Sequence, residues 1–169
     1  DHVHGRTHAQ IRRMIEGSTL SDWVKAKSLG VFQRIAVAEG KIHGCSPAEV
    51  HFHEVGAVDS IVDVVLAAWC VEHVGADRIC ATAIRPGRGF VRMQHGRHPV
   101  PPPASARLLT GLPVAATPAG IARENIELST PTGIAILKAL APEFRDGWPA
   151  GVVRATTSEY GTVLNDTSS

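Results

Sequence analysis

Residues 50–63 constrain the fold of this 169-residue chain more than any other stretch. His51 and His53 stand two residues apart, so on an extended segment both side chains lie on one face. Gly56 interrupts that pattern, and from Val58 onward apolar residues recur at helical spacing. The stretch therefore predicts a strand, a tight turn and a helix, with polar side chains at the junction.

The junction carries five side chains of the metal-ligand type: His51, His53, Glu54, Asp59 and Asp63. The two aspartates are one helical turn apart, so their carboxylates repel by roughly 0.2–0.5 kcal/mol on an isolated helix. A bound cation would remove that cost, and imidazole together with carboxylate suits zinc, nickel, iron or manganese. The alternative is a polar junction without metal, in which the histidines are hydrogen-bonded.

Composition excludes several classes of protein. Lys and Arg number 17 against 16 Asp and Glu, so no global charge attracts nucleic acid or anionic membranes. Three cysteines without a C-x-x-C pair argue against a disulfide framework and favour a reducing, cytoplasmic location. We expect no nucleic-acid or membrane partner, and a homo-oligomer stays open. Because the chain does not begin with Met, we take it to be a piece of a longer protein.

Periodicity predicts a single α/β domain, a small mixed sheet with flanking helices. Helices are expected over 9–16, 21–43, 57–74, 104–110 and 134–140, and strands near 50–54, 78–84, 90–94 and 126–128. The predicted organisation is a histidine-rich arm and short helix (1–20), the α/β domain (21–150) and an irregular tail (151–169). The arm, Asp1–His8, is interpreted as a flexible metal-collecting segment or as a loose terminus.

Two further segments have the composition of anion sites. The loop Arg85–Gly89 places Arg85 and Arg88 among glycines, where guanidinium groups and backbone N–H groups can surround a phosphate or carboxylate. The alternative is a plain hairpin turn. The last predicted helix opens with an N-cap threonine and an N1 proline, and helix N-termini favour anions. The candidate residues there are Thr130, Thr132 and Gly133.

A proline-rich segment follows His95, with four prolines among residues 99–103. Such a segment is rigid and extended, so it can hold His95 in a fixed direction. We interpret His95 as a candidate to position a substrate or to transfer protons. The alternatives are a stiff connector and a docking site for another domain.

The motifs together resemble those of the LarC family. The resemblance rests on residues 51–63, on His95-Gly96 followed by Pro99-Val100-Pro101, and on Thr130-Pro131-Thr132-Gly133, in this order and spacing. That family inserts nickel into a pyridinium-3,5-bisthiocarboxylic acid mononucleotide to mature the nickel-pincer cofactor of lactate racemase and its relatives. The family reaction consumes CTP and is assisted by manganese or magnesium, and the enzymes are metal-chelating lyases.

The resemblance implies that this chain handles nickel during cofactor biosynthesis and that the mononucleotide precursor is its partner. On that interpretation the junction holds the metal, while Arg85, Arg88 and residues 130–133 hold the mononucleotide phosphate. The family's separate CTP-binding domain has no counterpart here, so we expect this piece to be incomplete as an enzyme. Two other classes remain: a metal-dependent hydrolase, and a non-catalytic nickel storage or assembly module.

Overall fold

The structure, a computed structural model, describes residues 5–52, 55–93, 96–120, 124–147 and 149–151. Within these residues the helices are α1 (His8–Glu16), α2 (Asp22–His43), α3 (Val58–Val74), α4 (Pro103–Leu109) and α5 (Pro131–Leu140), with a 3-10 turn at Pro47–Glu49. The strands are β1 (Cys80–Ala81), β2 (Gly87–Arg88), β3 (Phe90–Met93), β4 (Gly96–Pro99), β5 (Ile126–Glu127) and β6 (Glu143–Phe144). The predicted α/β class is confirmed.

Helix α2 begins and ends at the local signals that predicted it. The Ser21 hydroxyl accepts a hydrogen bond from the backbone N–H of Val24 at 3.1 Å, which satisfies one of the free donors of the first turn. Gly44 ends the helix with a φ of 70°, a left-handed conformation that costs glycine little. The bounds of this helix are therefore set by its own sequence.

The hydrophobic core is organised around α2, which contacts each of the other four helices. Its side chains Phe32 and Ile35 are fully buried, as is Ile134 of α5. Burial of one such side chain stabilises the fold by about 1.5–3 kcal/mol. One connected cluster joins these residues to α1, α3, α4 and the segment before α3.

Helix α3 is apolar on two faces. Ile61, Val64 and Ala68 are buried in the core, whereas other apolar residues of the helix are exposed. The exposed apolar side chains are Val58, Val62, Leu66, Trp69 and Val74. None of the described helices combines the length and the apolarity needed to cross a bilayer.

The strands are short and pair in three separate two-stranded ladders. β1 and β6 are parallel, while β2 with β5 and β3 with β4 are antiparallel, so the pairing is mixed as predicted. The predicted strand near 50–54 contributes one isolated bridge, between His51 and Thr7. Strands of two residues offer too few backbone groups to build a wide sheet, and helix packing supplies most of the core.

The described part of the histidine-rich arm, residues 5–8, is not the flexible segment that the sequence predicted. Residues 6–8 pair with the segment before α3, and His8 is the first residue of α1, so this part is neither a loose terminus nor a free arm. The Thr7 hydroxyl caps α1 by accepting from the Gln10 N–H at 3.2 Å. Residues 1–4 and most of the predicted tail, 152–169, lie outside the described residues.

Candidate functional site

The polar junction is built on a short antiparallel pairing between the start of the chain and the segment before α3. The backbone N–H of His8 donates to Val50 O at 3.2 Å, and the N–H of Phe52 donates to Arg6 O at 3.2 Å. The residue pair between these two bonds forms an isolated bridge. The described part of the arm is therefore docked on the junction.

The segment before α3 is extended, and its side chains alternate between core and solvent. Val50 and Phe52 are 2% and 3% exposed, whereas His51 between them is exposed. The ring of Phe52 lies 6.2 Å from the ring of His8 and 6.2 Å from that of Phe32. The predicted period of two is confirmed over these three residues, and it directs His51 away from the core.

His8 is a core histidine of the junction. Its side chain meets Phe52 edge to face, and the residue is 5% exposed. Burial lowers the pKa of the His8 imidazole below its ordinary 6.5, and the Arg12 guanidinium one turn later lowers it further. Both effects favour the neutral form of the His8 imidazole in the folded chain.

Gly56 permits a close backbone approach at the junction. The Arg6 guanidinium donates to Gly56 O at 3.2 Å. A methyl group at position 56 would lie 2.7 Å from the backbone N of Arg6 and closer still to the backbone O of Phe52. Backbone atoms on two sides cannot yield as a flexible side chain does, so this turn requires glycine.

Asp59 and Asp63 lie one turn apart on α3, and both are exposed. Asp59 Oδ1 accepts a hydrogen bond from the Ser60 N–H at 2.8 Å, in the first turn of the helix. The positive end of the helix dipole stabilises a carboxylate at this position, and Asp63 gains less because it is deeper in the helix. The helix start thus places two carboxylates on an accessible surface.

The described residues do not gather the predicted metal ligands into one centre. Among them no group of three or more His, Cys, Asp or Glu side chains is placed to hold a metal ion. His51 precedes the turn, and the two aspartates follow it on α3. The remaining predicted ligands and the predicted catalytic residue lie outside the described residues: His53, Glu54 and His95. The ligand set and the catalytic role therefore stay predictions.

The predicted anion-binding loop is attached to the segment that opens α5. The Leu128 N–H donates to Pro86 O at 3.0 Å, and the Ser129 hydroxyl donates to Arg85 O at 2.9 Å. β2, which contains Arg88, pairs with β5 immediately before these bonds. Two candidate segments that begin about 45 residues apart in sequence are thus neighbours in the fold, and the loop is not the turn of a simple hairpin.

The first turn of α5 is capped as the sequence predicts. Thr130 Oγ1 accepts from the Gly133 N–H at 3.3 Å, and Pro131 occupies the first helical position. The backbone N–H groups of the first turn of a helix have no carbonyl partner within the helix. In α5 the cap already binds the Gly133 N–H, and Pro131 has no N–H. The Thr132 N–H is therefore the donor of this turn that can bind a ligand. Arg85 is exposed on the attached loop, and its backbone carbonyl is bonded to Ser129, the residue before the cap.

Sequence reasoning missed two features. One is the role of Arg6 and His8 in the junction, which only their backbone pairing reveals. The other is a cleft lined by four cationic side chains, Arg34, Lys41, Arg107 and Lys138. These four residues come from three helices, and no motif or spacing in the sequence connects them.

Comparison with known proteins identifies a family. The sequence matches the family model described as nickel insertion protein over residues 1–168. A relative from Syntrophobacter fumaroxidans is 48% identical over 157 residues, which are 93% of this chain and 39% of the relative. No solved structure matches the chain with significance.

Two clostridial relatives carry a more specific name. The Clostridium kluyveri protein is 51% identical over 134 residues, 79% of this chain and 32% of the relative. The Clostridium acetobutylicum protein is 49% identical over 134 residues, 79% of this chain and 31% of the relative. Both are named pyridinium-3,5-bisthiocarboxylic acid mononucleotide nickel insertion protein. The chain spans less than two fifths of the length of each of the three relatives. The match over nearly all of its residues shows that the chain belongs to the nickel insertion protein family.

Proposed function

We propose that this chain binds nickel and delivers it to a pyridinium-3,5-bisthiocarboxylic acid mononucleotide. The names of the clostridial relatives support the substrate, and the family match supports the metal. The structural observation that carries the proposal is the attachment of the Arg85 loop to the N-terminus of α5 by two hydrogen bonds. That attachment creates a region suited to one phosphate group of a mononucleotide.

Nickel is proposed to be the substrate that the chain carries, and it is proposed to bind at the junction. His51 is accessible before the turn, and Asp59 and Asp63 are accessible after it. Imidazole and carboxylate groups bind nickel, whereas the sulfur atoms of a thiocarboxylate are softer ligands. A metal held by the proposed set of His51, His53, Glu54, Asp59 and Asp63 would therefore be able to pass to sulfur.

The mononucleotide is proposed to bind through its phosphate. The Thr132 N–H and the Arg85 guanidinium would donate to the phosphate oxygens, with Arg88 on the adjoining strand and Thr130 and Gly133 shaping the helix start. We assign His95 a role in positioning the substrate or transferring protons. The use of CTP with manganese or magnesium is proposed for the longer proteins of the family.

A titration with nicotinate mononucleotide tests the phosphate site, because this probe carries a pyridinium ring and a ribose phosphate. Arg85→Ala is expected to weaken its binding by about 1.5–3 kcal/mol, the contribution of a hydrogen bond to a charged group. Calorimetry on the purified chain measures the change.

Arg92→Ala is the matched control, since Arg92 is an exposed arginine on the neighbouring strand β3. The control is expected to bind the probe as the wild-type chain does. Equal affinities in the Arg85 and Arg92 variants would remove the phosphate site from this loop.

A further inference from the structure

A basic cleft lies between α2, α4 and α5, on residues that the proposed nickel and mononucleotide sites do not use. Its volume is about 300 Å³. The cationic side chains that line it are Arg34 and Lys41 of α2, Arg107 of α4 and Lys138 of α5. Three helices thus contribute four cationic residues to the lining of one small volume.

Two of these cations are held in place by carbonyl groups. The Lys138 ammonium donates to Leu108 O at 2.9 Å and to Thr110 O at 2.7 Å, near the C-terminus of α4. The Arg34 guanidinium donates to Gly30 O at 2.8 Å, one turn back on its own helix. Side chains already ordered by such bonds lose little freedom when they bind a ligand.

The other two cations, Lys41 and Arg107, are exposed at the rim of the cleft. Of the described residues that line the cleft, none is acidic. Glu39, the acidic residue nearest to Lys41 in the sequence, instead lies 3.3 Å from the His43 imidazole. Like charges around one volume repel each other, and an anion with two or more charges would relieve that repulsion.

The floor of the cleft is apolar. Ala38 and Leu108 line it, and each is 4% exposed. A cleft of this volume is at the lower end of the roughly 300–1,000 Å³ of small-molecule sites. Cations above an apolar floor suit a ligand that combines phosphate groups with a ring or a short apolar chain, because guanidinium groups match phosphate oxygens.

We propose that the basic cleft binds a small phosphorylated molecule of the nucleoside-phosphate class. The phosphates contact Lys41, Arg107 and the cations behind them, and the apolar part of the ligand lies on the cleft floor. The site is distinct from the proposed mononucleotide site, because Lys138 is eight residues beyond Thr130, or about 12 Å along the axis of α5. The proposal does not depend on nickel delivery.

The test is calorimetric titration of the chain with adenosine diphosphate, pyrophosphate and adenosine, in EDTA so that no metal bridges the phosphates. All titrations are made in the Arg85→Ala variant, which removes the other proposed phosphate site. We expect adenosine diphosphate to bind more tightly than pyrophosphate, and adenosine not to bind. Adding Lys41→Gln or Arg107→Gln is expected to weaken diphosphate binding at least tenfold.

The matched control is Arg12→Gln, an exposed arginine of α1 outside the cleft, which is expected to leave diphosphate binding unchanged. The rim variants are expected to change the unfolding temperature little, because both side chains are exposed. Diphosphate affinity that is the same with and without Lys41→Gln and Arg107→Gln would overturn the proposal. Absence of diphosphate binding at millimolar concentration would overturn it as well.

Discussion

The polar junction and the Arg85 loop are opposite kinds of candidate site. The junction has its five candidate ligands within residues 51–63, yet its described members are exposed and form no metal-sized cluster. The candidate anion site draws on residues about 45 positions apart, yet two hydrogen bonds hold its parts together. Residues that are close in sequence can therefore carry the right chemical groups without forming a binding site.

The two regions also differ in what holds them. The junction depends on a close backbone approach at Gly56 and on pairing with residues 6–8. The candidate anion site depends on a helix cap and on strand pairing between β2 and β5. Close packing tolerates little change in volume, whereas a cap can be replaced by another hydroxyl.

The largest expected effect is that of Gly56→Ala on stability. The added methyl group would meet backbone atoms of Arg6 and Phe52, so the free energy of unfolding is expected to fall by about 2–3 kcal/mol. Urea unfolding measures the change. Gly120→Ala is the control, because a methyl group there meets nothing within 4 Å. An equally large fall in the free energy of unfolding of that variant would contradict close packing at the junction.

The next effect is that of His51→Ala on nickel affinity. Because the side chain is exposed, stability is expected to stay within about 0.5 kcal/mol. If His51 is a ligand, nickel affinity falls at least tenfold, or about 1.4 kcal/mol. His43→Ala, at an exposed histidine of α2, is the control for both measurements. A loss of stability with unchanged nickel binding would make the junction structural and place the metal elsewhere.

A smaller effect is expected for Thr130→Ala, which removes the cap of α5. Loss of the hydrogen bond to the Gly133 N–H is expected to lower the free energy of unfolding by about 1 kcal/mol. Thr130→Ser keeps the hydroxyl and is expected to restore most of that loss. If serine destabilised as much as alanine, the threonine would act through its methyl group and not as a cap.

The smallest effect is the pH dependence contributed by His8. Burial lowers its pKa in the folded chain, so the unfolded chain takes up the proton first as pH falls. Stability from this residue is complete above about pH 6.5 and is lost as pH falls below that value. His8→Phe is expected to reduce the fall in urea midpoint between about pH 7.5 and 5.5, the range in which imidazole titrates. If the urea midpoint fell equally with pH in both proteins, the pKa of His8 would be the same in the folded and unfolded chains.

Much of the helical structure was predictable, because its signals are local. Ser21 and Gly44 mark the ends of α2, and Thr130 with Pro131 marks the start of α5. The strands were less predictable: near 78–84 only Cys80–Ala81 is a strand, and β2, β4 and β6 were not predicted. A strand exists only where a distant partner offers its backbone groups, and the partner of β1, for example, is β6 at the far end of the described chain.

The sequence by itself determined which chemical groups this protein has, where its long helices begin and end, and its membership of the nickel insertion protein family. The tertiary structure alone decided which of these groups are neighbours. It joined the Arg85 loop to α5, docked His8 against Phe52, and brought Arg34, Lys41, Arg107 and Lys138 to the lining of one cleft. The physical reason is that caps and helical periodicity act within a few residues, whereas burial of apolar surface brings together residues of any separation.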